Sequence, residues 1–205
     1  MDIPLNAEVK CADGTKGRSV CIIINPVNNE VTHLVIETKG MLGMEYMLPI
    51  DRIISSTTHQ IQLRCTLEEL SEMEPFQRSQ FIGPDDSEYQ YSQSMITTED
   101  GFLWPYTQPE DYGMFVGVEQ IPPDELGIHR GAHVEATDGR IGRVDEFIVN
   151  PENNHISHLI MRKGHLWGKK VITITVSDIL RIEDDVVYLK LDKHAIKKLP
   201  STPLR

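Results

Sequence analysis

Residues 7–18 read Ala-Glu-Val-Lys-Cys-Ala-Asp-Gly-Thr-Lys-Gly-Arg, and residues 132–143 read Ala-His-Val-Glu-Ala-Thr-Asp-Gly-Arg-Ile-Gly-Arg. The similarity continues at the same offset, with Asn-Pro-x-Asn-Asn at 25–29 and 150–154, then His-Leu at 33–34 and 158–159. A repeat of this length indicates two copies of one folding unit. We therefore divide the chain into a first repeat at 1–76, a connecting segment at 77–127 and a second repeat at 128–205.

Short Val- and Ile-rich stretches separated by turn signals fill each repeat. Asp-Gly is a hairpin dipeptide, and Asn-Pro followed by Asn-Asn is typical of a tight turn. A capping box opening at Thr66 and an N-cap at Asp192 each predict a short helix at the end of a repeat. The pattern predicts a mainly β protein with two tandem six-stranded barrels, each ending in a short helix. Closure is expected because an open sheet of this size would leave two unpaired edges.

The charge is unevenly distributed along the chain. Residues 77–127 carry one Arg and ten Asp or Glu, whereas the whole chain has a net charge of −11. Nucleic-acid binding needs dense positive charge, so we expect no direct contact with nucleic acid. The connecting segment is also aromatic and contains several prolines. We expect part of it to be irregular and part, around Trp104 and Tyr106, to pack or to bind a partner.

Three cysteines, Cys11, Cys21 and Cys65, all lie in the first repeat and form no Cys-x-x-Cys pair. An odd, unpaired set fits buried free thiols in a reducing compartment. No apolar run is long enough to span a bilayer, and the N-terminus lacks a signal-peptide pattern. We expect a cytoplasmic protein without a transmembrane segment, and peripheral association with a membrane stays open.

The stretch at 138–145, Asp-Gly-Arg-Ile-Gly-Arg-Val-Asp, and the stretch at 150–160, Asn-Pro-Glu-Asn-Asn-His-Ile-Ser-His-Leu-Ile, together resemble the PRC-barrel family. The resemblance covers residues 5–76 and 128–200. It implies two PRC-type barrels similar to the cytoplasmic domain of the photosynthetic reaction centre H subunit and to the C-terminal domain of a ribosome maturation factor. The family has no common catalytic residue set, so the resemblance implies a fold and not a reaction.

His33 and His158 occupy the same position in the two repeats. They are candidate ligands for a small molecule or metal, or else structural histidines that tie down the preceding turn. We favour the structural interpretation, because no carboxylate or cysteine recurs beside them at ligand spacing. His155 and His158 also lack the helical context of a zinc motif. We expect no metal and no cofactor.

The remaining repeated residues are typical of turns. We interpret the aspartates and glycines as the turn between the first two strands, namely Asp13, Gly14 and Gly17 with Asp138, Gly139 and Gly142. We interpret the Asn-Pro pairs as the next turn, namely Asn25 and Pro26 with Asn150 and Pro151. Two glycine-flanked loops carry apolar tips, namely Met41 with Leu42 and Leu166 with Trp167. Apolar loop tips indicate either a partner-binding surface or packing on the other barrel or the connecting segment.

The sequence favours a non-enzymatic adaptor or scaffold whose barrels bind a protein partner. By family resemblance, that partner would be a membrane-associated electron-transfer complex or a ribosomal or RNA-processing component. The alternative is a small-ligand or metal-binding module with its site between the two barrels. The apolar loop tips are also compatible with a homodimer.

Overall fold

The computed structural model describes residues 1–14, 16–39, 43–82, 114–163, 170–183 and 185–203, and the chain is mainly β, as predicted. The first repeat contains β1 Asp2–Pro4, β2 Glu8–Lys10, β3 Lys16–Asn25, β4 Glu30–Thr38, β5 Glu45–Pro49, β6 Ile53–Ser56, β7 Gln60–Leu63 and helix α1 Leu67–Ser71. The intervening segment contributes β8 Gln77–Ile82 and β9 Met114–Glu119. The second repeat contains β10 Leu126–His129, β11 His133–Ala136, β12 Gly139–Val149, β13 Ile156–Lys163, β14 Lys170–Thr175, β15 Ile179–Glu183, β16 Val186–Leu189, helix α2 Lys193–Lys198 and β17 Ser201–Pro203.

Contacts between residues divide the chain into two units. The first unit comprises Met1–Phe76 and Gln120–Arg205, and therefore holds both repeats. The second unit, Gln77–Glu119, contains β8 and β9, which pair antiparallel. None of the helices in the described ranges is long and apolar enough to cross a membrane.

The two repeats form two sheets with the same strand order. One sheet runs β5-β4-β3-β2-β7-β6, and the other runs β14-β13-β12-β11-β16-β15 with β17 added beside β14. Each sheet contains one parallel pair, β2 with β7 and β11 with β16, among antiparallel ones. The internal duplication in sequence is thus a duplication of topology.

The prediction of closed barrels is wrong, because the hydrogen-bonded path in each sheet is open. In the described ranges, no ladder joins β5 to β6 or β14 to β15. The edges are covered in another way. The chain at Glu74–Phe76 pairs with β5, and β17 pairs with β14, while β6 and β15 carry bulges that interrupt their edges.

The first strand of each repeat pairs with the sheet of the other repeat. β1 pairs with β12, with Ile3 opposite Phe147, and β10 pairs with β3, with Ile128 opposite Ile22. These pairs are equivalent in the two repeats at the sequence offset of 125. The sheets therefore exchange strands reciprocally, which the sequence analysis did not predict.

The repeated Asn-Pro turns meet each other. The backbone N–H of Val31 donates to the carbonyl of Asn154, and the N–H of Ile156 donates to the carbonyl of Asn29, both at 2.9 Å. Asn29 and Asn154 each have φ 58, a left-handed conformation that asparagine tolerates. The two turns therefore contribute equal hydrogen bonds across a pseudo-twofold axis.

The side chains that open these turns are equally matched. Asn25 Oδ1 accepts the N–H of Val27 at 2.9 Å, and Asn150 Oδ1 accepts the N–H of Glu152 at 3.0 Å. Such Asx turns fix the chain reversal locally. Pro26 and Pro151 follow these asparagines in the same turns.

One apolar core joins the two repeats. It contains buried side chains from both sheets and from both exchanged strands, including Ile3, Ile22, Leu34, Ile128, Phe147 and Leu159. The three cysteines are buried free thiols, as expected. Burial of this shared surface is the main stabilising contribution to the first unit.

The glycines grouped with the first turn have two different functions. Gly14 lies in the turn before β3, with φ of +83°, and Gly139 is the first residue of β12 after the equivalent turn, with φ of +111°. Gly17 and Gly142 instead lie in strands, paired with the next strand along. A Cβ at Gly17 would lie 2.8 Å from the carbonyl oxygen of Glu37, and one at Gly142 would lie 2.5 Å from that of Arg162. These two glycines allow close approach of adjacent backbones.

Replacing Gly142 with alanine should lower the free energy of unfolding by about 2 kcal/mol, because the new methyl group overlaps backbone atoms. Urea unfolding followed by circular dichroism measures the change. The exposed neighbouring substitution Arg143→Ala serves as the control and should shift the midpoint little. Equal midpoints for the two variants would contradict the close-approach explanation.

The repeated aspartates cap the terminal helices. Asp13 Oδ2 accepts the N–H of Leu67 at 3.0 Å, and Asp138 Oδ1 accepts the N–H of Lys193 at 2.9 Å. Both helices also have their own predicted N-caps, the Thr66 capping box and Asp192. Each aspartate therefore fastens a helix that lies more than fifty residues away in sequence.

Asp138→Ala should destabilise the protein by about 1 kcal/mol, since one helical N–H loses its acceptor. Thermal unfolding of the variant beside Asp138→Asn provides the measurement. The asparagine variant keeps an acceptor oxygen and should lose less stability. If both variants unfold at the same temperature as the original protein, the cap contributes nothing.

Candidate functional site

The exchanged strands create two equivalent ladders with different chemistry. We call the ladder of β10 with β3 the first seam and the ladder of β1 with β12 the second seam. The first seam pairs His129 with Cys21, and the second pairs Pro4 with Glu146. The polar residues of the two seams thus differ at positions that the duplication makes equivalent.

His129 and Asp185 form an ion pair at the first seam. The Nδ1 atom of His129 lies 2.8 Å from Asp185 Oδ2, and the backbone N–H of His129 donates to Oδ1 at 2.7 Å. Hydrogen bonds with Asp185 and then with Cys21 raise the pKa of His129 well above its ordinary value, although burial lowers it. Burial raises the pKa of Asp185, but the hydrogen bonds from His129 outweigh it and the net shift is downward. The imidazole is therefore protonated at neutral pH.

Cys21 is the residue opposite His129 in the first seam. Its side chain is fully buried in a small apolar cluster with Ile23, Val35, Met47 and Phe76. The ring of Phe76 also lies 6.1 Å from the ring of His129. Cysteine, histidine and aspartate are the residue types of a nucleophilic triad, but a thiol without solvent exposure cannot meet a substrate. The geometry favours a structural clamp.

His33 takes part in a second polar group at the first seam. Thr32 Oγ1 donates to Glu125 Oε2 at 2.7 Å, and His33 Nδ1 lies 3.0 Å from the same hydroxyl. A hydroxyl has one proton, so His33 donates its Nδ1–H to the Thr32 oxygen. Glu125 comes from the chain that leads into β10, and the group therefore links β10 to β4.

His158 repeats part of this arrangement. Its Nδ1 lies 3.1 Å from Ser157 Oγ, which donates to the carbonyl of Ile148 at 2.9 Å. The two histidines that the sequence singled out are thus both held by the hydroxyl of the preceding residue. Their use as ligands stays a prediction. In the described part of the chain, no group of three metal-binding side chains has the geometry of a metal site.

Glu146 is the unusual residue of the second seam. Its side chain is 6% exposed, and its Oε1 atom has no hydrogen-bond partner. The opposite residue is Pro4, which has no backbone N–H to offer. Burial raises the pKa of Glu146 to about 7, and the nearby carboxylates of Asp2 and Asp145 add to the effect.

A second repeated feature lies on the edge strands β6 and β15. Ile54 and Leu180 are each 56% exposed, and each is the unpaired residue of a bulge. Ile54 and Leu180 are equivalent in the two repeats, because each is the second residue of its strand, after Ile53 in β6 and after Ile179 in β15. Single exposed aliphatic residues are common on proteins, and here the duplication repeats one at the equivalent position of both sheets.

The loop and segment residues predicted to bind a partner lie outside the described residues. These are Met41, Leu42, Trp104, Tyr106, Leu166 and Trp167. No pattern in the sequence singled out Ile54, Leu180, or the group of Cys21, His129 and Asp185. Comparing aligned positions would have revealed some of them, because Pro4 aligns with His129 and Cys21 aligns with Glu146.

Neither the protein-family models nor the curated proteins give a match to this chain.

Asp185→Asn should return the pKa of His129 towards its ordinary value of 6.5, because the variant removes the negative charge that holds the proton. NMR titration of the His129 ring measures this directly. In the original protein the ring should stay protonated through pH 8. The raised pKa of His129 stabilises the folded state fully below pH 6.5, and this stabilisation is lost as the pH rises above that value. The free energy of unfolding of the variant should therefore fall less steeply with pH above 6.5 than that of the original protein.

The backbone amide spectra of the two proteins verify that the substitution leaves the fold unchanged. A His129 ring that loses its proton near pH 6.5 in the original protein would contradict the ion pair.

Proposed function

We propose that this protein is a non-enzymatic scaffold that binds a protein partner through two equivalent surfaces centred on Ile54 and Leu180. The observation that carries the proposal is the matched exposure of these two side chains on one compact unit. An aliphatic side chain held at a bulge projects from an edge strand that is itself short and interrupted. Such a position favours side-chain contact over strand addition by the partner.

The distribution of the repeated residues supports a scaffold. The aspartates cap helices, two glycines permit backbone approach, and the asparagines build turns. The catalytic residues of an enzyme would be expected to remain accessible to a substrate. Here the residue type best suited to nucleophilic attack, Cys21, is buried.

Two equal surfaces also have an energetic advantage. A partner that engages one of them meets the second at high effective concentration, so that two weak contacts combine into a stronger one. The proposal therefore includes a partner with two matching sites, either a symmetric assembly or a protein with its own repeat. A second copy of this chain is the competing partner, and sedimentation analysis distinguishes it.

The identity of the partner rests on the resemblance to the PRC-barrel family. We propose that the repeats are relatives of that family with open sheets, and that the partner is a membrane-associated electron-transfer complex or a ribosomal component. The shared strand order of the two repeats and the helix that ends each of them are compatible with this relationship.

Photo-crosslinking tests the surfaces. A photoreactive residue placed at position 54 or at position 180 should capture the same partner from native extract. Position 27 is the matched control, because Val27 is 89% exposed but its equivalent in the second repeat is the polar Glu152.

Substitution then measures the contribution of each surface. Ile54→Ser or Leu180→Ser should weaken binding of the captured partner roughly tenfold, and the double variant should weaken it further. Thermal unfolding verifies that the variants are folded. Capture from position 27 with equal yield, or unchanged binding by a folded double variant, would refute the proposal.

A further inference from the structure

We propose that Glu146 makes the second seam a pH-sensitive joint, which is closed while its carboxyl group is protonated and loosens when the proton leaves. The inference does not depend on the partner-binding function. It rests on the position of Glu146 within the seam, on the residues around it and on the contrast with the first seam.

The strand that Glu146 helps to hold is short. β1 contributes only three register pairs to β12. They are flanked by hydrogen bonds from the N–H of Leu5 to the carbonyl of Asp145, at 3.1 Å, and from the N–H of Val149 to that of Met1, at 2.8 Å. A ladder of this length depends strongly on the side chains packed along it.

Glu146 lies in the middle of this ladder with an unpaired buried oxygen. A protonated carboxyl group is tolerated there, whereas a carboxylate without a hydrogen-bond donor is costly. Opening the seam would expose the carboxylate to water. Ionisation of Glu146 therefore favours the open state of the seam.

The charged groups around Glu146 do not relieve this cost. Asp2, on β1, and Asp145, on β12 itself, are both acidic and disfavour a further negative charge. The cation of Arg162, on β13, is bound to Asp145 at 2.5 Å. His158, also on β13, pairs with Ile148, two register positions along from Glu146, and its Nδ1 lies 3.1 Å from Ser157 Oγ.

The direction of the effect follows from the pKa values. The closed state has a pKa of about 7 at Glu146, and the open state has the ordinary value of 4.5. The closed state therefore binds more protons between these values, and its stability falls as the pH rises from 4.5 to 7. Above that range the effect reaches its limit.

The first seam provides an internal control in the same molecule. Cys21 occupies the position equivalent to Glu146, and the charged His129, which pairs with Asp185, occupies the position equivalent to Pro4. The N–H of Arg130 donates to the carbonyl of Val20 at 2.9 Å, in the position equivalent to the Leu5 bond of the second seam. This amide should respond little between pH 5 and pH 8.

Hydrogen exchange followed by NMR tests the joint in the full chain. After correction for intrinsic exchange, the opening constant at the Leu5 and Val149 amides should rise on the order of 50-fold between pH 5 and pH 8. The Arg130 amide should not follow this rise. Glu146→Gln, which cannot lose a proton in this range, should abolish the rise at the second seam.

Glu146→Cys is the second variant, since it introduces the residue found at the equivalent position of the first seam, and it covers the case in which the glutamine variant does not fold. Loss of the pH dependence in either folded variant supports the joint. The same slope at both seams in the original protein would overturn the proposal. So would a slope that persists in the variants, because it would then come from another group.

Discussion

Reciprocal exchange of β1 and β10 is the constraint on which the rest of the structure depends. Each repeat donates its first strand to the other sheet, so neither sheet has its complete set of strands without the other repeat. Ile3 and Ile128, on the exchanged strands, are fully buried in one core that both sheets share. Small domains bury too little surface to be very stable alone, and exchange joins two of them into a larger one.

The pseudo-symmetry holds for the strand order and the turns, and it is broken in the side chains of the seams. Capping aspartates, close-packed glycines and Asn-Pro turns recur because both copies need the same geometry. The seams, by contrast, carry different residues at equivalent positions. The first seam pairs a protonated histidine with a buried cysteine, and the second pairs a proline with a buried glutamate. One seam satisfies its polar atoms, and the other leaves a carboxyl oxygen unpaired. The two seams therefore differ in the chemistry of their polar residues although they occupy equivalent places in the two repeats.

Local structure was predictable from the sequence, and long-range pairing was not. Turn residues, helix caps and strand alternation act within a few residues, and the sequence identified the helices after Thr66 and Asp192 from such signals. A closed barrel was expected because closure leaves no unpaired strand edge. In this protein the edges are protected differently, by β17 paired beside β14 and by a bulge in β6. Exchange could not be read from the repeat, because two copies of one topology offer a strand two equivalent sheets. Likewise, His33 and His158 were visible by repetition, whereas Asp185 lies 56 residues from its partner His129.

The open sheets also bear on how the surface is used. A closed barrel has no edges, and its outward side chains are distributed around a continuous wall. An open sheet concentrates its exposed features at the edges, and here the bulges of β6 and β15 place one aliphatic side chain at each. The same bulges interrupt the row of backbone donors and acceptors that would otherwise attract another strand. Protection against edge association and presentation of Ile54 and Leu180 therefore have a single structural cause, which duplication has given to both halves of the molecule.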